Sequence, residues 1–67
     1  MDIYLNGNQT SVPDQLKLQI LLQEQSLSEK KGIAVAVNNQ VIPKSSWPEY
    51  MLNNLDKVLV IKASQGG

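Results

Sequence analysis

The sequence predicts a small α+β domain in which one helix lies across one face of a mixed sheet. Three observations carry that expectation. Apolar Met1, Ile3 and Leu5 alternate with Asp2 and Tyr4 at the start, the period of a half-buried strand. A single stretch near residues 14–25 has the apolar stripe of a helix. Two runs rich in β-branched residues, IAVAV and KVLVIK, come later in the chain. At 67 residues the core is thin, because a chain of this length buries only about 60% of the surface its unfolded form exposes. The helix then has nothing but the sheet against which to bury its stripe.

The elements follow in order. After MDIYL comes Asn6-Gly7, a strong hairpin signal because both residues tolerate positive φ, and NQTSV returns as a second, more polar strand. Pro13 and Asp14 sit where a helix should begin, since proline suits the first turn and an acid suits the dipole. Ser11 and Asp14 also match a loose Ser-x-x-Asp cap. A helix is expected over about 14–25, with Leu16, Ile20 and Leu21 on one stripe and Leu18 and Leu22 beside it. The polar SLSEKKG connects to IAVAV, whose nearly continuous apolar run marks a central strand. Asn38-Asn39 turns the chain, and QVI is a short strand stopped by Pro43, which lacks a ladder donor. A loop with a helical turn, anchored by Trp47, leads to a final strand KVLVIKAS. The expected organisation is one domain over residues 1–63 and a flexible C-terminal tail, residues 64–67, ending in Gly-Gly.

Composition narrows the function. Hydrophobic residues make up 42% and charged residues 18%, a globular balance. Six basic and six acidic residues cancel, and no basic run is longer than Lys30-Lys31, which argues against nucleic acid or an anionic membrane as the main partner. With no cysteine and no histidine, disulfides, iron–sulfur or zinc sites, thiol nucleophiles and the usual general base are all missing. The opening residues lack the basic and apolar regions of a signal peptide, and no run approaches the ~20 apolar residues of a membrane span. A cytoplasmic domain that is not itself an enzyme is the expectation. It is also expected to be a monomer alone, with no bound metal or cofactor.

Few residues invite a functional reading. Trp47 is either a docking anchor or a plug for the thin core, and the second reading is the simpler. Tyr4 alternates away from Ile3 and Leu5, which puts it on the open face of the sheet, either as an interface residue or as an ordinary exposed strand tyrosine. In VLVI, strand neighbours alternate, so either Val58 and Val60 or Leu59 and Ile61 leave the helix side. Tyr4, Val58, Val60 and Lys44 are taken as the candidate docking surface. The scattered Glu24, Glu29, Glu49 and Asp56 have no cleft in which to act as a carboxylate pair. Gly66-Gly67 is either a frayed end or a working tail.

The order of elements resembles the β-grasp fold of ubiquitin-like proteins. Within it, AVAVNNQVIPKSSW (residues 34–47) resembles a segment of the ThiS family of thiamine sulfur carriers: a strand, an Asn-rich turn, a short strand ending in proline, a basic residue and a tryptophan. YLNG and the closing Gly66-Gly67 also have equivalents there, and the resemblance spans essentially the whole chain. Two departures stand out. Leu55 occupies the place of a glycine that often precedes Asp56, and Ser64-Gln65 precedes the glycines where an apolar residue is common.

The resemblance implies a chemistry for the tail. An E1-like, ThiF-like enzyme uses ATP to adenylate the carboxylate of Gly67, and sulfur from a donor of unknown identity then gives a thiocarboxylate. A ThiG-like thiazole synthase receives that sulfur for thiamine biosynthesis. Ser64, Gln65, Gly66 and Gly67 would enter the partners' active sites. Glycine suits such threading because it has no Cβ, and residues 63–67 reach about 17 Å when extended. Two alternatives remain. One is a carrier like the small subunit of molybdopterin synthase, and the other is a plain β-grasp interaction domain with an inert tail.

Overall fold

The computed structural model describes residues 1–27 and 32–62. Strands β1 (Asp2–Leu5) and β2 (Asn8–Ser11) precede helix α1 (Leu18–Glu24), and β3 (Ile33–Val37), β4 (Gln40–Ile42) and β5 (Lys57–Lys62) follow it. A 3₁₀ turn, Lys44–Ser46, interrupts the long connection into β5. The sheet is mixed, in the order β2-β1-β5-β3-β4. β5 runs parallel to β1 and antiparallel to β3, so the last strand is the central one.

Both hairpins close as their turn residues dictate. Asn6 and Gly7 have φ of 50° and 84°, and Asn38 and Asn39 have 52° and 70°. Two successive positive φ values define a type I′ turn, whose twist matches that of paired strands. The turns set the registers Leu5 against Asn8 and Val37 against Gln40.

The helix is shorter than its sequence stripe. Gln15 takes φ 61°, which breaks the helical path, and α1 starts only after Lys17. Ser11 and Asp14 therefore do not cap it. Its first free N–H groups are taken by main-chain carbonyls instead: Leu18 N–H donates to Tyr50 O (2.8 Å) and Gln19 N–H to Trp47 O (3.1 Å). Leu16, just outside the helix, is anchored when its carbonyl accepts from Leu52 N–H at 2.9 Å. The buried helix positions are Leu18, Leu21 and Leu22, while Ile20, expected on the stripe, is exposed. At the other end Ser26, at φ 59°, closes a Schellman motif: Leu27 N–H donates to Leu22 O (2.7 Å) and Ser26 N–H to Gln23 O (3.0 Å).

The core lies between α1 and one face of the sheet, built from Ile3, Val35, Val37, Ile42 and Val58 below the helix leucines. Trp47 belongs to it at 2% exposure, and its indole N–H donates to Ile42 O at 2.9 Å. It is the plug of the core and not a surface anchor. Trp47 thereby joins the end of β4, the 3₁₀ turn and the start of α1 in one contact set. Replacing Trp47 with Phe removes that hydrogen bond and some volume, so a loss of about 1–3 kcal/mol in urea unfolding is expected.

The turn before β5 carries a cost. Leu55, where the resemblance expects a glycine, has φ 69°, and its side chain is more than half exposed. Left-handed backbone costs a non-glycine residue about 1–2 kcal/mol. Leu55→Gly should therefore stabilise the domain by about 1 kcal/mol, seen as a rise of about 4–8 °C in the thermal midpoint. A Leu55→Val variant should lower it, because a β-branched residue tolerates that conformation still less well.

Candidate functional site

The face of the sheet away from α1 is open. Register fixes what it carries: Leu59 lies opposite Ala36, Ile61 opposite Ala34 and Val41 opposite Ala36 on the other side. Tyr4 lies level with Lys57 across the parallel pair. Leu59 and Ile61 are each 48% exposed and Val41 is 67% exposed. Three large aliphatic side chains thus stand on a floor of two alanines in water, an unusual use of apolar surface on so small a domain.

At one end this face deepens into an open groove of about 240 Å³, walled by Tyr4, Lys57 and Leu59 with Ala36, Gly7 and Asn39. It lies between the two type I′ turns. A β-carbon built on Gly7 would meet nothing within 4 Å, so the turn leaves this rim unobstructed.

A side-chain network holds β5 under this surface. Asp56 is buried to 7% exposure and accepts two hydrogen bonds, from Asn38 Nδ2 at 2.9 Å and from Asn53 N–H at 2.7 Å. The Asn38 side-chain oxygen Oδ1 accepts from Lys57 N–H at 3.0 Å, and Asn38 main-chain N–H donates to Lys57 O at 2.8 Å. On the other side, Tyr4 N–H donates to Asp56 O at 2.9 Å. Asp56 and Lys57 together thereby tie the start of β5 to β1 on one side and to the β3–β4 turn on the other. A buried carboxylate with two donors is satisfied, and no buried side-chain polar atom among the described residues lacks a partner.

The candidate docking residues separate on this frame. Tyr4 is on the open face, as its alternation predicted. Val58 and Val60 are not: Val58 is 2% exposed in the core and Val60 packs against it. The physical reason is the pairing of β5 with β3, which puts Val58 opposite Val37 and Val60 opposite Val35 on the helix side. The outward pair is Leu59 and Ile61. Lys44 is exposed at the start of the 3₁₀ turn, beyond the edge strand β4 and apart from the Tyr4 groove. Ser64, Gln65, Gly66 and Gly67 lie outside the described residues. Among the described residues no group of His, Cys, Asp or Glu could hold a metal ion, and no helix is long and apolar enough to cross a membrane.

Comparison with known proteins decides the family. The ThiS family model matches residues 3–67, through the final glycine. The chain belongs to the ThiS family. A curated relative, the sulfur carrier protein ThiS of Escherichia coli (strain K12), is 30% identical over 46 residues, covering 69% of this chain and 70% of its own. The fold agrees with solved structures at 20% identity. The crystal structure of a thiamine biosynthesis protein (ThiS) from Geobacter metallireducens superposes with a TM-score of 0.87 over the whole of both chains. A solution NMR structure of a thiamine biosynthesis protein from the same organism gives 0.78, covering all of this chain and 88% of that one. The fold of this ThiS-family chain is thus the β-grasp, a five-stranded mixed sheet with one main helix.

The two faces of β5 should respond differently to one charge. Leu59→Asp should change stability by no more than about 0.5 kcal/mol, as surface substitutions do. Val58→Asp buries an unpaired carboxylate and should leave the chain unfolded at 25 °C, read by far-UV circular dichroism.

Proposed function

We propose that this chain is a sulfur carrier and not an enzyme, with Gly67 as the group that is loaded. A carboxylate oxygen of Gly67 attacks the α-phosphorus of ATP in the active site of a ThiF-like enzyme, and pyrophosphate leaves. Hydrosulfide released by the donor then attacks the acyl carbon and displaces AMP, leaving a thiocarboxylate. A ThiG-like thiazole synthase takes up that sulfur. The observation that carries this reading is the family match, which runs through Gly66 and Gly67.

Residue chemistry supports it. The chain has no histidine or cysteine, so apart from the Gly67 carboxylate itself the reactive side chains for these steps come from the partners. Gly66 and Gly67 let the reacting carbon be drawn into a narrow, water-poor slot because neither adds a Cβ. The body, residues 1–63, stays outside as the docking unit, and residues 64–67 enter as the tail. Leu59, Ile61, Val41 and Tyr4 supply an apolar docking surface on the open face, with Lys57 at its edge. Exposed aliphatic residues around an aromatic one are the composition of an interface centre.

Growth of the host without thiamine tests the reading. With its own copy of the gene disrupted, the host should grow when supplied with the intact chain and fail with a chain lacking Gly67. Leu59→Asp should lower the rate of Gly67 loading at least about tenfold while the fold is kept, because it places a charge at the centre of the docking surface. Full growth with the Gly67 deletion would make the tail inert and sink the proposal.

A further inference from the structure

The sheet narrows where it leads into the tail. β1 pairs with β5 only as far as Leu5, opposite Val58, before the chain turns away at Asn6-Gly7. β4 ends at Ile42, opposite Val35. Among the described residues only β3 and β5 continue, through Ala34 opposite Ile61 and Ile33 opposite Lys62.

Backbone groups alternate sides along a strand. Asn38 N–H donates to Lys57 O, so Lys57, Leu59 and Ile61 turn their main-chain groups towards β3. Asn6 N–H donates to Val58 O at 2.9 Å, so Val58, Val60 and Lys62 face the β1 side. By Val60 the ladder of β1 has ended, and the side-chain carbonyl of Asn6 stands in for it, accepting from Val60 N–H at 2.8 Å. One step on, the Val60 carbonyl and the Lys62 N–H face an edge that no strand or side chain among the described residues pairs.

We propose that this edge of β5 is a strand-addition site, on which an extended segment of the ThiF-like enzyme pairs with Val60 and Lys62 as the tail is taken up. The inference rests on the carrier reading. Five residues follow Lys62, and at ~3.6 Å each they span no more than about 18 Å. An enzyme that holds the Gly67 carboxylate in an internal slot must therefore bring its surface against this end of the sheet. Covering a main-chain donor and acceptor without partners is costly. An added strand offers a carbonyl and an N–H at the required spacing. Ile61 and Leu59 beside the edge give that strand apolar neighbours on the open face. Asn6 then acts as a stop that ends the internal ladder and starts the external one.

Amide hydrogen exchange on the full chain, alone and with its ThiF-like enzyme and ATP, tests this. The Lys62 amide should slow at least about tenfold in the complex, as expected when an edge N–H gains a backbone partner. Leu59 and Ile61, already turned to β3, should change less. Lys62→Pro removes that N–H without touching the Ala34–Ile61 pair, and proline is tolerated on a strand edge. It should raise the Kd about tenfold, the loss of one hydrogen bond, whereas Lys62→Ala should leave it unchanged. A Lys62 amide that exchanges equally fast in the complex, or a proline variant that folds and binds normally, would overturn the proposal. So would a dimer of the chain alone with the same amide protected. The mass of Gly67 in the same mixture reports on the carrier reading separately. Protection without adenylate would sink that reading and keep the edge, and adenylate without protection would do the reverse.

Discussion

In the sheet, the two hairpins of this protein meet only through β5, and everything else depends on how that strand is held. β5 is last in sequence and central in space, so the two hairpins join into one sheet only when the chain's far end has returned. Its starting point is set by Asp56, whose carboxylate gathers Asn38 and Asn53 while its main-chain carbonyl receives Tyr4. That one residue joins the β3–β4 turn, the preceding loop and β1. A slip of one residue there would exchange Val58 and Val60 for the larger Leu59 and Ile61, overfilling the core and leaving the two valines on the open face. The open face and the core are therefore fixed by the same contacts.

A thin core explains how the rest is arranged. One seven-residue helix contributes only three buried side chains, so Leu16, Trp47 and Leu52 from the flanking loops complete the layer. Those loops also supply the carbonyls that satisfy the helix's first N–H groups, which replaces the side-chain cap the sequence suggests. Side-chain amides do similar service in the sheet, where Asn6 and Asn38 each accept from a main-chain N–H of β5. In a domain this small, polar side chains finish ladders that longer strands would finish by themselves.

Much of this was legible in the residues. Asn6-Gly7 and Asn38-Asn39 gave both hairpins because positive φ is a local demand. Pro43 and the alternation of Ile3 and Leu5 gave strand limits and one covered face. The helix start is hidden in the sequence because Pro13 and Asp14 look like a first turn, while the left-handed backbone at Gln15 has no signature in a glutamine. The phase of VLVI was illegible for another reason. All four residues are apolar, so only long-range pairing with β3 decides which two face the helix. The left-handed Leu55 runs against local preference, and the resemblance rather than propensity pointed to it.

The central claim is that Gly67 carries sulfur, and the intact mass of the chain tests it most directly. The purified protein would be incubated with ATP, its ThiF-like enzyme and a sulfur source, beside a chain lacking Gly67. A gain equal to exchanging one oxygen for one sulfur, present in the full chain and absent from the truncated one, is expected. An unchanged mass under conditions in which the enzyme binds the chain and turns over ATP would contradict it.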